Sequence, residues 1–286
     1  MSIQSELRAY REHPREVERV ARLFGLMARS GPQALDVGAR DGHLSLLLAE
    51  RFERVVALDL NLPEVSHPRV ECVVGDAAHL NYPDQSFHTV VCAEVLEHIP
   101  PTLLPAVCRE LVRVAAHHVV IGVPFRQDLR VACCTCRTCG TVNPPWGHVN
   151  SFDLERLVGL MHGLVPVKVE YVGRTRAVTN ALSAGLLRFA GNPYGTYDQD
   201  EPCIQCGERL LRPGQRNLAQ KVATRLAHWG NMAQTALTPW RGNWMHVLFE
   251  RAPAHEPAPR LSARNARGAP VLSQPLAAAH RPGSGD

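Results

Sequence analysis

Residues 34–43 read Ala-Leu-Asp-Val-Gly-Ala-Arg-Asp-Gly-His, a short apolar run that ends in a turn containing two glycines. A pattern with helical spacing follows, so the stretch predicts a strand, a tight turn and a helix. Gly38 and Gly42 allow the backbone to turn sharply and to approach a ligand closely. A dinucleotide-binding turn has further glycines where this chain has Arg40 and His43. The turn therefore favours a ligand without a pyrophosphate group.

The same alternation of strand and helix continues beyond this turn. Near-continuous apolar runs are typical of strands that are buried on both faces of a parallel sheet. Helical patterns occur at residues 3–29, 43–52, 101–115 and 152–163. The alternation predicts an α/β fold, a Rossmann-like doubly wound sheet of seven strands with helices on both faces. The predicted strands are residues 34–37, 55–58, 70–74, 89–92, 119–123, 165–172 and 244–250.

Composition divides the 286 residues into four regions. We expect an N-terminal helix in residues 1–30, a ligand-binding core in 31–125, and the remainder of the core with insertions in 126–250. Residues 251–286 are rich in Pro, Ala, Arg and Gly, which predicts a disordered tail.

Charge and hydropathy exclude several classes of protein. The net charge of +4, from 31 basic and 27 acidic residues, is too small to indicate a nucleic-acid partner by itself. No apolar run approaches the roughly 18 residues of a membrane-spanning helix, and the N-terminus lacks the apolar region of a secretory signal. We therefore expect a cytoplasmic protein, in which the nine cysteines are thiols or metal ligands rather than disulfides.

Three more of the predicted strands end in acidic residues. Asp59 ends the second strand, about 20 residues after the glycine turn, where nucleotide-binding sheets hold a ribose diol. Asp76 follows the third strand, and Glu94 follows the fourth. Because ligands of open α/β sheets bind at the carboxyl ends of the strands, these side chains predict one ligand site at that edge.

These motifs resemble those of class I S-adenosylmethionine-dependent methyltransferases. DVGARDGHLS at residues 36–45 resembles the first motif of that family, and VVALDL at 55–60 resembles the second. GDAAHLNYPDQSFHTVVCAEVLEHIP at 75–100 resembles the third and fourth together. The order and spacing agree over residues 30–125, and the resemblance implies S-adenosylmethionine as the cofactor.

The resemblance also implies a role for individual residues. Gly38 and Gly42 would face the methionine part of the cofactor, and Asp59 would face its ribose hydroxyls. Arg40 departs from the family pattern, which has a glycine there. Asp76 and Ala77 would face the adenine, and Glu94 would face the methionine end. The complete set of cofactor-binding residues implied in this way is Asp36, Gly38, Gly42, Asp59, Asp76, Ala77 and Glu94.

Two Cys-x-x-Cys-Gly segments indicate a metal site. Cys136 and Cys139 form the first pair, and Cys203 and Cys206 form the second. Two such turns supply four thiolates to one tetrahedral zinc ion and leave no coordination position open, which predicts structural rather than catalytic zinc. Cys133 offers an alternative pair with Cys136, and Cys134 is also close in sequence.

Methyl transfer to a hydroxyl needs alignment and a group that takes the proton. His148, in a Gly-His-Val-Asn-Ser-Phe segment after the fifth strand, is the favoured general base because a histidine pKa suits proton abstraction near neutral pH. The alternative is a histidine that holds the loop in place. His98, after the fourth strand, is a second catalytic candidate, with packing as its alternative role.

The leading hypothesis is therefore an enzyme that methylates a small molecule or glycan, at an oxygen. An RNA methyltransferase is an alternative, in which the zinc segment and the basic residues at 209–225 would hold nucleic acid. A non-catalytic protein that binds S-adenosylmethionine is another alternative, for which Arg40 is the only indication. The sequence does not indicate an oligomeric state.

Overall fold

A computed structural model of the chain describes residues 11–27 and 30–251. The predicted tail at 252–286, and residues 1–10 and 28–29 of the predicted first helix, lie outside the described residues. The strands are β1 (Gly31–Val37), β2 (Phe52–Asp59), β3 (Val70–Val74), β4 (Phe87–Ala93), β5 (Ala115–Pro124), β6 (Cys134–Thr135), β7 (Val142–Asn143), β8 (Leu164–Val172) and β9 (Trp244–Arg251). The helices are α1 (Pro14–Leu26), α2 (His43–Ala49), α3 (Leu104–Val114), α4 (Leu154–Leu160), α5 (Ala181–Phe189) and α6 (Leu218–Leu237).

Seven strands form one sheet in the order β3-β2-β1-β4-β5-β9-β8. Strands β1 to β5 are parallel to their neighbours, and β9 lies antiparallel between β5 and β8. The short strands β6 and β7 pair separately as a hairpin. The sheet confirms the predicted α/β Rossmann-like fold, and the seven predicted strands are present, each extended by no more than a few residues. Arg251, which we assigned to the tail, is the last residue of β9.

Apolar side chains cover both faces of the sheet. On one face, residues such as Leu35 pack with α3 and α4. On the other, residues such as Ala34 pack with α1 and α2, where Leu23 is fully buried. Because successive side chains of a strand point to opposite faces, the continuous apolar runs of β1, β4 and β5 supply both cores.

The basic segment at 209–225 is helical only in its second half. Residues 209–217 are not helical, and α6 begins at Leu218 after the Asn217 cap. The apolar residues of α6 that share a face, Leu218, Val222 and Leu226, are exposed, whereas the small residues Ala223, Thr224 and Ala227 are buried. The helix therefore packs through its small side chains. No helix in the described part of the chain is long and apolar enough to cross a membrane.

Candidate functional site

The turn after β1 requires both of its glycines. Gly38 has a φ of 76° and Gly42 a φ of 72°, a region that residues with a side chain rarely adopt. A Cβ atom at Gly38 would collide with Val95, and one at Gly42 would collide with Val65. The turn is thus held against two other segments of the same sheet edge.

Asp36 lies buried beneath this turn. The Ser45 hydroxyl donates a hydrogen bond of 2.6 Å to Asp36 Oδ2. Burial raises the pKa of Asp36 to about 6, and the charge of Asp59 adds to the rise while the Ser45 bond opposes it. Asp36 therefore supports α2 from below rather than presenting itself to solvent.

Arg40 adopts the backbone conformation of the glycine that it replaces. Its φ is 50°, and its backbone N–H donates a hydrogen bond of 2.7 Å to Asp59 Oδ2. The guanidinium is 64% exposed and pairs with Asp200 Oδ2 at 3.1 Å. The departure from the family pattern therefore leaves the path of the turn intact and connects the turn to the segment before Cys203.

The other predicted cofactor residues lie at the same edge. Asp76 Oδ1 accepts a hydrogen bond of 2.8 Å from the N–H of Ala78, and the partly buried Ala77 packs against the core. Leu60, next to Asp59, is 72% exposed and offers an apolar surface there. We did not single out Leu60 from the sequence, although its position beside the strand-end carboxylate was a usable signal.

Glu94 belongs to a polar group that the sequence did not reveal. Its φ is 58°, and its Oε2 accepts a hydrogen bond of 3.0 Å from Trp244 Nε1 on β9. The buried Arg19 of α1 lies 3.7 Å from Glu94 Oε1 and also binds Glu16. Loss of hydration raises the pKa of Glu94, and the charge of Arg19 opposes that rise. The available signal in the sequence was the pair Glu16 and Arg19, two charged residues three positions apart on the buried face of α1.

The fourth strand also brings both predicted histidines together with an unexpected carboxylate. The rings of His98 and His148 meet edge to face, with centroids 4.7 Å apart. The ligand atoms of Glu97, His98 and His148 all lie within 4.8 Å of one another. We call these three residues the Glu-His-His cluster. Trp146, which is 49% exposed, has its ring centroid 6.0 Å from that of His148.

Burial dominates the electrostatics of the Glu-His-His cluster. It raises the pKa of Glu97 well above its ordinary value, and the nearby Glu94 adds to the effect. Burial and the neighbouring His98 lower the pKa of His148 to about 4. Burial, together with the charge of Arg40, also lowers the pKa of His98. The expectation that the pKa of His148 lies near neutral is therefore wrong, since desolvation of the imidazolium outweighs any acidic neighbour.

The four predicted metal-binding cysteines converge between the two inserted segments. Cys136 Sγ lies 3.6 Å from Cys206 Sγ, and Cys139 Sγ lies 3.6 Å from Cys203 Sγ. Zinc bonds of about 2.3 Å in a tetrahedron would place the sulfurs about 3.8 Å apart. The spacing fits a shared tetrahedral cation, and it is much too long for disulfides, whose sulfurs are about 2 Å apart.

The two cysteine turns have the same backbone geometry. Gly140 N–H donates to the carbonyl of Cys136 at 3.0 Å, and Gly207 N–H donates to that of Cys203 at 2.9 Å. Both glycines have a φ of 73°. The glycine that follows each pair thus closes the turn, as the sequence predicted. We call these four cysteines and their turns the cysteine knuckle.

Neither alternative cysteine belongs to the cysteine knuckle. Cys133 Sγ donates to the carbonyl of Leu129 at 3.1 Å, and the buried Cys134 lies beside Thr196. Asn143 was not predicted but bridges the two turns: its Nδ2 lies 3.6 Å from Cys203 Sγ and its Oδ1 accepts from the N–H of Ile204 at 2.8 Å. A lone Asn outside a motif gives no such signal in sequence.

The cysteine knuckle also supports the turn that carries His148. The backbone N–H of Trp146 donates to Gln199 Oε1 at 2.6 Å, and Gly147 packs against Glu201. Both partners lie a few residues before Cys203. The inserted segments therefore border the Glu-His-His cluster.

Comparisons with known proteins agree with the methyltransferase-like motifs at residues 36–100. Residues 35–121 match the methyltransferase domain family. A protein from Mycolicibacterium smegmatis described as a probable S-adenosylmethionine-dependent methyltransferase is 35% identical over 75 residues, which are 24% of this chain and 29% of that protein. This chain thus spans less than a third of the length of that relative.

Solved structures of low sequence identity also align. A 1,6-didemethyltoxoflavin N1-methyltransferase from Burkholderia thailandensis aligns at 13% identity and a TM-score of 0.49, over 87% of this chain and 84% of that one. The N-methyltransferase NodS from Bradyrhizobium japonicum, in complex with S-adenosyl-L-homocysteine, aligns at 15% identity and a TM-score of 0.45, over 85% and 90%.

The ordered motifs, the sheet they lie on and the family match agree with one another. Residues 35–121 of this chain therefore form a class I S-adenosylmethionine-dependent methyltransferase domain.

Proposed function

We propose that this protein transfers a methyl group from S-adenosylmethionine to a hydroxyl of a small-molecule or glycan acceptor. The observation that carries the proposal is the Glu-His-His cluster, which lies just past the end of β4, three residues after Glu94. A cofactor held by the strand-end carboxylates and an acceptor held at this cluster would meet at one edge of the sheet.

The residues of the edge fit the cofactor. The carboxylate of Asp59 would accept hydrogen bonds from the ribose diol, and the exposed Leu60 would offer an apolar surface to the base. Glu94 would accept from the ammonium group of the cofactor, and Arg19, which lies 3.7 Å from Glu94, would balance the cofactor's carboxylate. When bound, S-adenosylmethionine supplies a methyl group on a sulfonium, an electrophile that reacts by in-line displacement.

This chain's own residues would hold the acceptor in line and exclude water. The acceptor oxygen would form a bond to the methyl carbon as the carbon–sulfur bond breaks, and the hydroxyl proton would pass to water. With a pKa of about 4, His148 is neutral at pH 7 and can accept a hydrogen bond from the hydroxyl. The same low pKa makes it a weak base, so its role is to position the oxygen.

The cysteine knuckle would bind one structural zinc ion. Four thiolates, closed turns and a buried Asn143 fit a coordination sphere without an open position. Such a site needs reduced cysteines, which the cytoplasm provides. Zinc would fix the segment around Gln199 and thereby the turn at Trp146.

The test is transfer of a methyl label from S-adenosylmethionine into a fractionated cell extract. We expect label in the small-molecule or glycan fraction, and its loss in His148→Ala but not in His162→Ala, which removes an exposed imidazole elsewhere. Label in RNA would overturn the acceptor class and support the alternative in which the basic segment holds nucleic acid. Cofactor binding without label in any fraction, even with purified hydroxylated acceptors, would support the non-catalytic alternative.

A further inference from the structure

We infer that Glu97, His98 and His148 bind a divalent metal ion, separate from the zinc of the cysteine knuckle, and that this ion holds the acceptor oxygen. The metal site depends only on the geometry of the cluster. Its part in catalysis rests on the proposed function.

The donor set suits a first-row divalent cation. Two imidazoles and one carboxylate occupy one face of a metal ion and leave positions open for oxygen ligands. Metal–ligand bonds of about 2.1 Å would separate the ligand atoms by about 3–4 Å. The three groups already lie within 4.8 Å of one another, so small side-chain rotations would complete the site.

The carboxylate of Glu97 lacks a hydrogen-bond partner among the described residues. The side chain is fully buried, and both carboxylate oxygens are without a partner there. A buried carboxylate without a partner is costly, and buried charges are normally paired or bound to metals. A cation between Glu97 and the two histidines would satisfy both oxygens of the carboxylate.

His148 is already oriented as a metal ligand. Gln127 Oε1 lies 2.6 Å from His148 Nδ1, and this oxygen can only accept, so Nδ1 carries the proton. The second nitrogen, Nε2, is then deprotonated and free to bind a cation. Metal-binding histidines usually donate their other N–H to an oxygen in this way, which fixes the ring.

The backbone holds the two segments of the cluster in register. The N–H groups of Val149 and Asn150 donate to the carbonyl of Glu97 at 2.7 and 3.1 Å. The Asn150 side chain donates to the carbonyls of Leu96 and Ile99 at 3.0 and 2.6 Å. The backbone that carries the ligands is therefore held in place by these bonds, which helps to preorganise a metal site.

A bound cation would take the place of the hydrogen bond between the hydroxyl and His148, because Nε2 is the one ring nitrogen of His148 that Gln127 leaves open. Coordination stabilises the charge that develops on an oxygen and fixes its direction without a strong base. The class of acceptor that follows is one with a hydroxyl, or two adjacent hydroxyls, able to enter the open positions. The half-exposed ring of Trp146, close to His148, would offer an aromatic surface to the remainder of such an acceptor.

The test is direct metal binding by the full-length protein with its zinc retained. Mn²⁺ is titrated and the free ion is followed by electron paramagnetic resonance, because Mn²⁺ prefers nitrogen and oxygen ligands to thiolates. Co²⁺ is titrated in parallel by absorption, since thiolate ligation gives intense bands that nitrogen and oxygen ligation does not. We expect one Mn²⁺ or Co²⁺ per chain without thiolate bands.

Variants assign the ion to the cluster. Glu97→Gln and His148→Ala should weaken binding at least 100-fold, and Gln127→Ala about 10-fold, through the outer contact to Nδ1. His162→Ala should bind as the parent does. Circular dichroism of each variant identifies any that fail to fold, and the near-isosteric Glu97→Gln keeps the test valid if His148→Ala does so.

Each outcome decides between the two proposals. Absence of binding of both ions, or equal binding by Glu97→Gln and the parent, would overturn the metal site while leaving methyl transfer open. Binding that follows the variants, without any methyl transfer, would retain the site and overturn the proposed function. Transfer that is independent of added Mn²⁺, in protein shown to lack metal at the cluster, would overturn the part assigned to the ion in catalysis.

Discussion

The cysteine knuckle and the Glu-His-His cluster lie in neighbouring parts of the molecule and differ in nearly every chemical respect. The cysteine knuckle has four identical donors, closed glycine turns and a supporting Asn143. The cluster has three mixed donors, a buried carboxylate without a hydrogen-bond partner in the described part of the chain, and the half-exposed Trp146 beside it. The first offers a full set of four ligands to one cation, whereas the second would leave coordination positions open. This difference predicts that one region serves stability and the other serves chemistry.

The largest expected effect is on the stability of the cysteine knuckle. Cys203→Ser should lose zinc and lower the unfolding midpoint by about 10 °C or more, because a structural zinc contributes more than the roughly 4 kcal/mol that such a shift represents in a domain of this size. Zinc content and thermal unfolding measure the two effects. Cys133→Ser is the matched control, since Cys133 lies outside the knuckle, and should retain both. Equal loss of zinc in the two variants would restore Cys133 as a ligand.

The next effect separates chemistry from stability. Glu97→Gln should lower methyl transfer about 100-fold or more, within the range of about 10²–10⁴-fold for loss of a positioned catalytic group. Its unfolding midpoint should stay within about 2 °C of the parent, because the change removes a buried carboxyl that has no partner. Glu155→Gln, on the exposed face of α4, is the control. A large fall in stability with transfer unchanged would reverse the roles of the two regions.

A third prediction concerns pH and the support beneath the glycine turn. The raised pKa of Asp36, about 6, means that the folded state retains a proton between pH 4 and 6 that the unfolded state has released. This contribution to stability is present below pH 4 and is lost as the pH rises through 6. Asp36→Asn should remove up to about 3 kcal/mol of that pH dependence. Denaturant unfolding at pH 4 and pH 7 checks it, and an unchanged difference between the two pH values would refute the assignment.

The smallest effect is expected at Arg40. Arg40→Gly should change the Kd for S-adenosylmethionine less than threefold, because the backbone N–H that binds Asp59 is retained and the guanidinium pairs with Asp200 in solvent. Asp200→Asn breaks the same ion pair without altering the turn and should behave alike. Calorimetric titration measures both. A tenfold loss in Arg40→Gly alone would place the guanidinium inside the cofactor site.

Most of the sheet was predictable because its signals are local. Strands β1 to β5 contain short apolar runs, and the acidic residues at the ends of β2, β3 and β4 are visible one strand at a time. The cysteine knuckle was predictable for a similar reason, since each Cys-x-x-Cys-Gly segment carries its own turn. The pairing of the segments followed from the need for four ligands rather than from any pattern between them.

The Glu-His-His cluster was only half predictable because its members meet through the fold. His98 and His148 were each identified as candidates, yet their contact depends on backbone bonds between Glu97 and residues 149–150. Glu94 was predicted as a site residue, but Glu97, which lies three residues further along the same motif, was not. The exposure of the apolar residues on α6 could not be predicted from the sequence either, because the burial of a helix face depends on which other elements pack against it.

The position of β9 has a consequence for how the protein is made. β9 is the last described strand in the chain, yet it lies inside the sheet and supplies every backbone partner of β8 there. While a ribosome is still synthesising the chain, β8 is complete before β9, its neighbour in the sheet, has been made. β8 therefore lacks its native partner strand at that stage, because β9 lies between β5 and β8. Closure of the cysteine knuckle, which joins segments on either side of β8, can precede the synthesis of β9. Zinc in the cysteine knuckle, although it lies outside the sheet, would then keep β8 near the core until β9 has been synthesised.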